Sequence, residues 1–250
     1  MKEYSWKNKK YITGSIVVLI ILWALISLKV NNEIIIPSIG STVKSLVEII
    51  TDRDFLFVIG ATVLRILASF LISLITAVIL AVTASFSKLL YNFMLPILAF
   101  LKSVPTMGII VLALIWLSSD NAPVLIGFIV VFPILYESVI SGITGVDIKI
   151  LDMASSYKVK RAVVIKDIYL PSILMGINKV INSAFGLNFK VVIAAEVLGQ
   201  PKYSIGSKLQ LEKMYLNTPG VFAWIIIIVI IIICFELLIK LLNKKTYRWK

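Results

Sequence analysis

Arg65, Lys102, Glu137, Lys179, Lys190, Glu196 and Glu236 stand within or beside long apolar runs of this 250-residue sequence. An ionised side chain costs about 2.5–3.5 kcal/mol at the centre of a membrane span, so each of these must pair or face water. The chemistry open to them is charge pairing, ion passage and the guiding of a charged solute. Lys102 lies just before Pro105, where a broken helix exposes backbone, and is a candidate for the wall of a path. Pro105, Glu137, Lys190 and Glu196 complete that candidate set. Structural pairing, or snorkelling to the interface, is the plainer alternative for each. Lys190 and Glu196, six positions apart, cannot meet on one helix. Glu236 and Lys240 read as an i,i+4 pair near a helix end.

Covalent and metal chemistry is poorly provided for. The sequence has no His, and its single Cys, Cys234, lies inside an apolar run. Zinc sites, haem ligation and disulfide frameworks are excluded by that count, and the scattered carboxylates form no acid–base cluster. No G-x-x-x-x-G-K-[ST] loop is present, so any ATP is bound and hydrolysed by a partner. No catalytic, cofactor-binding or metal-binding residue is expected.

The elements that must position these charges are membrane helices. Hydrophobic residues make up 60% of the chain, charged residues 15%, and the mean hydropathy is +1.01. Six apolar segments approach or exceed the roughly 20 residues a span needs: 11–28, 58–86, 93–117, 122–145, 173–198 and 221–242. The second and third are long, and are expected to tilt or to break at Pro96 and Pro105. Lys2, Lys7, Lys9 and Lys10 before the first run resemble a secretory signal. The run ends WALISLKVNNE without a small-x-small site, which favours an uncleaved first span. Along 58–86, Ser69, Ser73, Ala77, Ala81 and Ser85 recur every fourth residue, a face suited to close helix packing.

Six spans with a cytoplasmic N-terminus leave residues 1–10, 87–92, 146–172 and 243–250 inside. These hold fourteen Lys and Arg, against six in the outside segments. That asymmetry supports both the span count and the orientation. It also absorbs most of the formal charge of +12, leaving little reason to expect a nucleic-acid partner.

The inside segment 146–172 is unusually polar for such a chain. Ile148, Leu151 and Ser155 fall on one face of a first short helix ending near Tyr157 or Lys158. Ala162, Ile165 and Tyr169 form one stripe of a second, which Pro171 is expected to close. Composition alone leaves two readings open, a loop lying on anionic headgroups and a docking element for a soluble partner.

Spacing favours the second. The segment resembles the EAA loop of permease subunits of binding-protein-dependent ABC importers, with pattern E-A-A, three residues, G, nine residues, I-x-L-P. Asp152, Met153 and Ala154 occupy the first three places, Lys158 the Gly place, and Ile168, Tyr169, Leu170 and Pro171 the last four. Asp152 keeps the carboxylate near a helix start, Met153 adds bulk, and Lys158 stands where Gly usually supplies a positive φ. Either the turn is built differently, or Lys158 bears a strain cost. Further stretches are similar to the nitrate/sulfonate/taurine-type branch: Pro37-Ser38, LRILASF with Arg65 and Phe70, LKSVPTMGIIVLALIWL around Pro105, and FKVVIAAEVLG from Phe189 to Gly199. Val111 replaces a second Pro common in the branch.

The resemblance covers roughly residues 35–245. It implies an all-α integral membrane protein of six transmembrane helices, type I ABC-importer permease-like, with a cytoplasmic coupling helix between spans 4 and 5. One permease domain, 1–250, would comprise an N-terminal span and external loop (1–57), a core (58–242) and the coupling loop (146–172). Asp152, Met153, Ala154, Ser155, Lys158, Leu170 and Pro171 would carry the contact with the ATPase. Implied partners are a second permease chain, two cytoplasmic ABC ATPase subunits, an extracytoplasmic solute-binding protein and the lipid bilayer. The protein itself would be a non-catalytic bacterial cell-membrane permease without cofactor, its ATP held by the partner. Nitrate, sulfonates, taurine, bicarbonate-like anions and vitamin precursors remain open as substrates. An ion-gradient-driven secondary transporter is the alternative, though no internal repeat supports it.

Overall fold

A computed structural model describes residues 9–246. Lys2, Lys7, Arg248 and Lys250 of the charge count lie outside them, as do the side chains of Lys9, Lys10, Lys244 and Lys245. The described residues form helices and no strand: α1 Lys9–Val30, α2 Ile39–Thr51, α3 Phe55–Phe86, α4 Lys88–Ser103, α5 Thr106–Trp116, α6 Ala122–Thr144, α7 Ile148–Ser156, α8 Arg161–Val164, a π turn Ile165–Tyr169, α9 Leu170–Gly199, α10 Ile205–Met214 and α11 Thr218–Thr246. Five helical segments are long and apolar enough to cross a membrane, and the bent pair α4–α5 supplies a sixth crossing if taken as one.

Two prolines behave differently from expectation, and a third as expected. Helix α4 runs through Pro96, which removes one hydrogen bond without ending it, as single prolines in membrane helices do. The break falls instead at Val104–Pro105, where Val104 is extended (φ −69°, ψ 129°) and the chain bends by 98°. A residue before proline is pushed out of the helical region, and here nothing restores it. Pro171 does not close the second loop helix. The helical backbone continues through it, because the π turn Ile165–Tyr169 just upstream widens the ladder and gives its ring room. The helical path therefore runs unbroken from Arg161 to Gly199.

The chain forms two compact units, one of the chain up to Leu56 with Lys208–Ile230, the other of Phe57–Ser207 with the chain from Ile231 on. In the first, Trp23 stacks on Phe222 at 5.7 Å, its indole N–H donates to the Pro37 carbonyl at 3.1 Å, and the Thr218 hydroxyl donates to the Ile34 carbonyl. Lys208 pairs with Asp52 at 3.3 Å.

In the second unit, α3 buries one stripe: Val58, Thr62, Ile66, Ser69, Ser73, Ala77 and Ala81. Ser85, the last of the four-residue repeat, is exposed and Ala84 replaces it inside. A spacing of four drifts about 40° per step on a helix of 3.6 residues per turn, so the fifth member has rotated off the face. The stripe meets α6 and α9 at a polar knot. Asn188 donates to the Ile66 carbonyl at 2.9 Å and to the Ser69 hydroxyl at 3.0 Å. A side chain at Gly127 would strike both Ser69 and Asn188, so α6 approaches there only as glycine. Helices α6 and α9 cross as closely again: a Cβ on Gly176 would lie 2.6 Å from the Ser138 carbonyl oxygen. Helix α5 packs Ile109, Ile110 and Ala113 onto Ala122 and Ile126 of α6 and Val191 and Ala195 of α9.

Candidate functional site

The loop between α6 and α9 is a folded element. Asp147 caps α7, its carboxylate accepting the Lys149 N–H at 2.9 Å. Asp152, Met153 and Ser155 are exposed and Ala154 is buried. The inward face of α7 is thus Leu151 and Ala154 rather than the expected Ile148, Leu151 and Ser155, because α7 rests on the unit by one turn only. Ile150, Met153 and Tyr157, at spacings of three and four, instead form an exposed apolar face outside the spans, and Ile148 is exposed on another side of α7. The helix ends in a Schellman closure: the Val159 N–H donates to the Ala154 carbonyl at 2.9 Å and Lys158 takes φ +51°. Of the two readings of Lys158, the turn keeps its left-handed conformation and lysine bears the strain, about 1–2 kcal/mol for a side chain there. Leu170 and Pro171 are exposed at the start of α9. A concave surface of about 530 Å³ lies between α7 and the π turn, walled by Leu151, Ala154, Arg161, Ile165 and Tyr169.

The charges inside the spans separate into two groups. Lys102 of α4 donates to Glu137 Oε1 of α6 at 2.6 Å, and both side chains are about half exposed, 49% and 50%. Pro105 is exposed at the bend beyond Lys102. Lys179 and Lys190 are exposed on α9, about three helical turns apart on one face, with Ser183 between them. Neither lysine has an ion-pair partner among the described residues.

Glu196 lies elsewhere, with no exposed surface. Arg65 Nη1 donates to its Oε1 at 2.9 Å, while the Thr62 hydroxyl at 2.9 Å and the Gly206 N–H at 3.3 Å donate to Oε2. Thr62 in turn accepts the Ile205 N–H at 3.0 Å. Arg65 reaches on to Asp120 Oδ1 at 2.6 Å and to the Tyr203 carbonyl at 3.0 Å. One guanidinium, with its five donors in a fixed fork, therefore ties α3, the α5–α6 turn, α9 and the segment entering α10. Sequence reasoning marked Arg65 and Glu196 as charges needing partners, but named neither Thr62 nor the pairing. Thr62 sits one turn from Arg65 on the buried stripe, a signal that a polar residue on that face had a partner to meet.

Of the five residues expected along a path, Lys102 and Glu137 are brought together as an ion pair on an accessible face, Pro105 lies at the bend, Lys190 is exposed on α9, and Glu196 sits in the closed cluster. Of the seven expected at the loop, Asp152, Met153, Ser155 and Lys158 are exposed on α7 and the turn after it, Leu170 and Pro171 are exposed at the start of α9, and Ala154 is buried.

Residues 73–248 match the family described as "Binding-protein-dependent transport system inner membrane component". A Bacillus subtilis protein assigned as an aliphatic sulfonates transport permease is 25% identical over 252 residues, covering 100% of this chain and 90% of the relative. The taurine transport system permease of Escherichia coli is 21% identical over 257 residues, covering 99% and 93%. The resemblance read from the loop and span motifs is borne out, and the chain belongs to the inner-membrane permease family of binding-protein-dependent ABC importers.

Proposed function

We propose that the protein is the membrane subunit of an ATP-driven importer for small organic anions of the sulfonate or taurine type. It would act as a homodimer with two ATPase subunits and an external binding protein, both chain ends facing the cytoplasm. It supplies a path and a mechanical link, and no bond-breaking chemistry. The names of the relatives and the charge of the accessible span faces support the substrate class: Lys102, Lys179 and Lys190 outnumber Glu137. A half-exposed ion pair and two unpaired lysines inside spans are expensive against lipid and suit a water-filled path between two copies.

One observation carries the coupling: α7, with its exposed apolar surface, leads by a rigid left-handed turn into a helical path that runs unbroken to Gly199. Exposed apolar area of that kind marks a protein contact. A displacement of α7 would pass into α9, and from α9 into α6 through the Gly176 crossing. The test is co-purification with the cognate ATPase, wild type against a chain carrying Asp152→Arg and Met153→Arg, both exposed on α7. Association lost in the variant supports the docking loop. Association that survives moves the contact elsewhere, and uptake that follows an ion gradient without any ATPase hands the case to a secondary transporter.

A further inference from the structure

The groove between α6 and α9 holds an open donor and an open acceptor of opposite charge. It has a volume of about 560 Å³ and is lined by Glu137, Ser138, Ser141, Gly142, Lys179 and neighbouring apolar residues. The size is that of an ordinary small-molecule site. Among the described residues Glu137 accepts only at Oε1, from Lys102, and no donor is placed on Oε2. Lys179 contributes an ammonium with no ion-pair partner among the described residues. Both lie well inside their helices, where leaving such groups unmatched is costly unless water or a ligand meets them.

We infer that this groove is a binding subsite for a small zwitterion, its anionic head on Lys179 and its ammonium on Glu137. The inference rests on the transport reading above and makes it more specific. Plain anions satisfy only Lys179. A compound with an amino group also engages the carboxylate, at Oε2. Lys102 thereby tunes selectivity: its charge partly neutralises Glu137 through Oε1, while Oε2 stays open to the ligand. Ser141, exposed in the same wall, supplies a hydroxyl for the head group.

The test is direct binding to the full-length chain in lipid nanodiscs, without ATPase, using taurine and ethanesulfonate, which differ by the amino group. The wild type is expected to bind taurine about tenfold more tightly. Lys179→Gln weakens both ligands tenfold or more, while Glu137→Gln removes the taurine advantage and leaves ethanesulfonate binding in place. Lys102→Gln removes the charge that partly neutralises Glu137 and increases the taurine preference, a gain that misfolding cannot imitate. Lys44→Gln, on α2 and outside the groove, changes neither. Equal affinity of the wild type for the two sulfonates overturns the subsite, as does a taurine preference that survives Glu137→Gln. Binding of neither ligand overturns it as well; the transport reading is then judged separately, on association with the ATPase.

Discussion

Arg65 and Glu196, 131 positions apart in sequence, meet at 2.9 Å with the carboxylate fully buried. The pair is the hub of a cluster with Thr62, Asp120 and two backbone N–H groups, so neither charge is left unmatched. Breaking such a pair strands the surviving charge. Glu196→Ala and Arg65→Ala are each expected to destabilise the protein by about 3–5 kcal/mol. Arg65→Lys does not rescue, because one ammonium cannot hold Glu196, Asp120 and the Tyr203 carbonyl together. Thermal unfolding in detergent, with the double variant closing the cycle, measures the coupling; singles that simply add would show that the two residues act independently.

Lys158 gives a prediction of opposite signs. Lys158→Gly removes the left-handed strain, partly offset by the greater freedom of unfolded glycine, for a net gain of about 0.5 kcal/mol. Lys158→Val, β-branched at the same φ, loses about 1 kcal/mol or more. Unfolding temperatures that rank Gly above Lys above Val are expected, and a ranking with Val above Lys would mean the turn is not left-handed in solution.

Gly176→Ala pushes a methyl group into the Ser138 carbonyl, and α6 and α9 must separate. Overpacking of this kind costs about 1–3 kcal/mol. Gly186→Ala, on the same helix with open space at the Cβ position, is expected to be neutral or slightly stabilising. The difference in unfolding temperature between the two isolates the crossing from helix propensity.

Asp52, exposed between α2 and α3, has its carboxyl held below the ordinary value by the Asp54 N–H and then by Lys208. A depressed value means the contribution is present above the ordinary carboxylate range and lost as pH falls through the folded value. At neutral pH wild type should therefore be slightly more stable than Asp52→Asn, and the two should converge in strong acid. Convergence at high pH instead would reverse the assignment.

The long spans were legible because apolar length is a property of local composition, and Pro105 was a legible break because proline biases Val104 out of the helical region. Pro171 misled for a related reason. A proline inside a helix ordinarily clashes with the turn before it, and the π turn just upstream relieves that clash so the helical path passes through. Pro96 is a second interior proline that the helix tolerates. In the site, each charge could be read as needing a partner, but which charge meets which depends on how α3, α6 and α9 cross. Those crossings are set by Gly127 and Gly176, residues whose role is to be absent from a contact and which therefore leave no pattern to read.

The bend at Val104–Pro105 has a consequence for how the chain is assembled. Helix α4, with 16 residues, extends about 24 Å and α5, with 11, about 17 Å, each shorter than a bilayer's hydrocarbon core of about 30 Å. Two helices that short, joined at 98°, cannot be threaded into lipid as a self-sufficient rod, because the turn between them carries backbone groups that lipid cannot hydrogen-bond. Their shelter is the surface of α6 and α9 on which Ile109, Ile110 and Ala113 settle, and Val191 and Ala195 of α9 follow them by some eighty residues in the chain. This segment consequently reaches its final place late, as a step that waits on the C-terminal half of the chain.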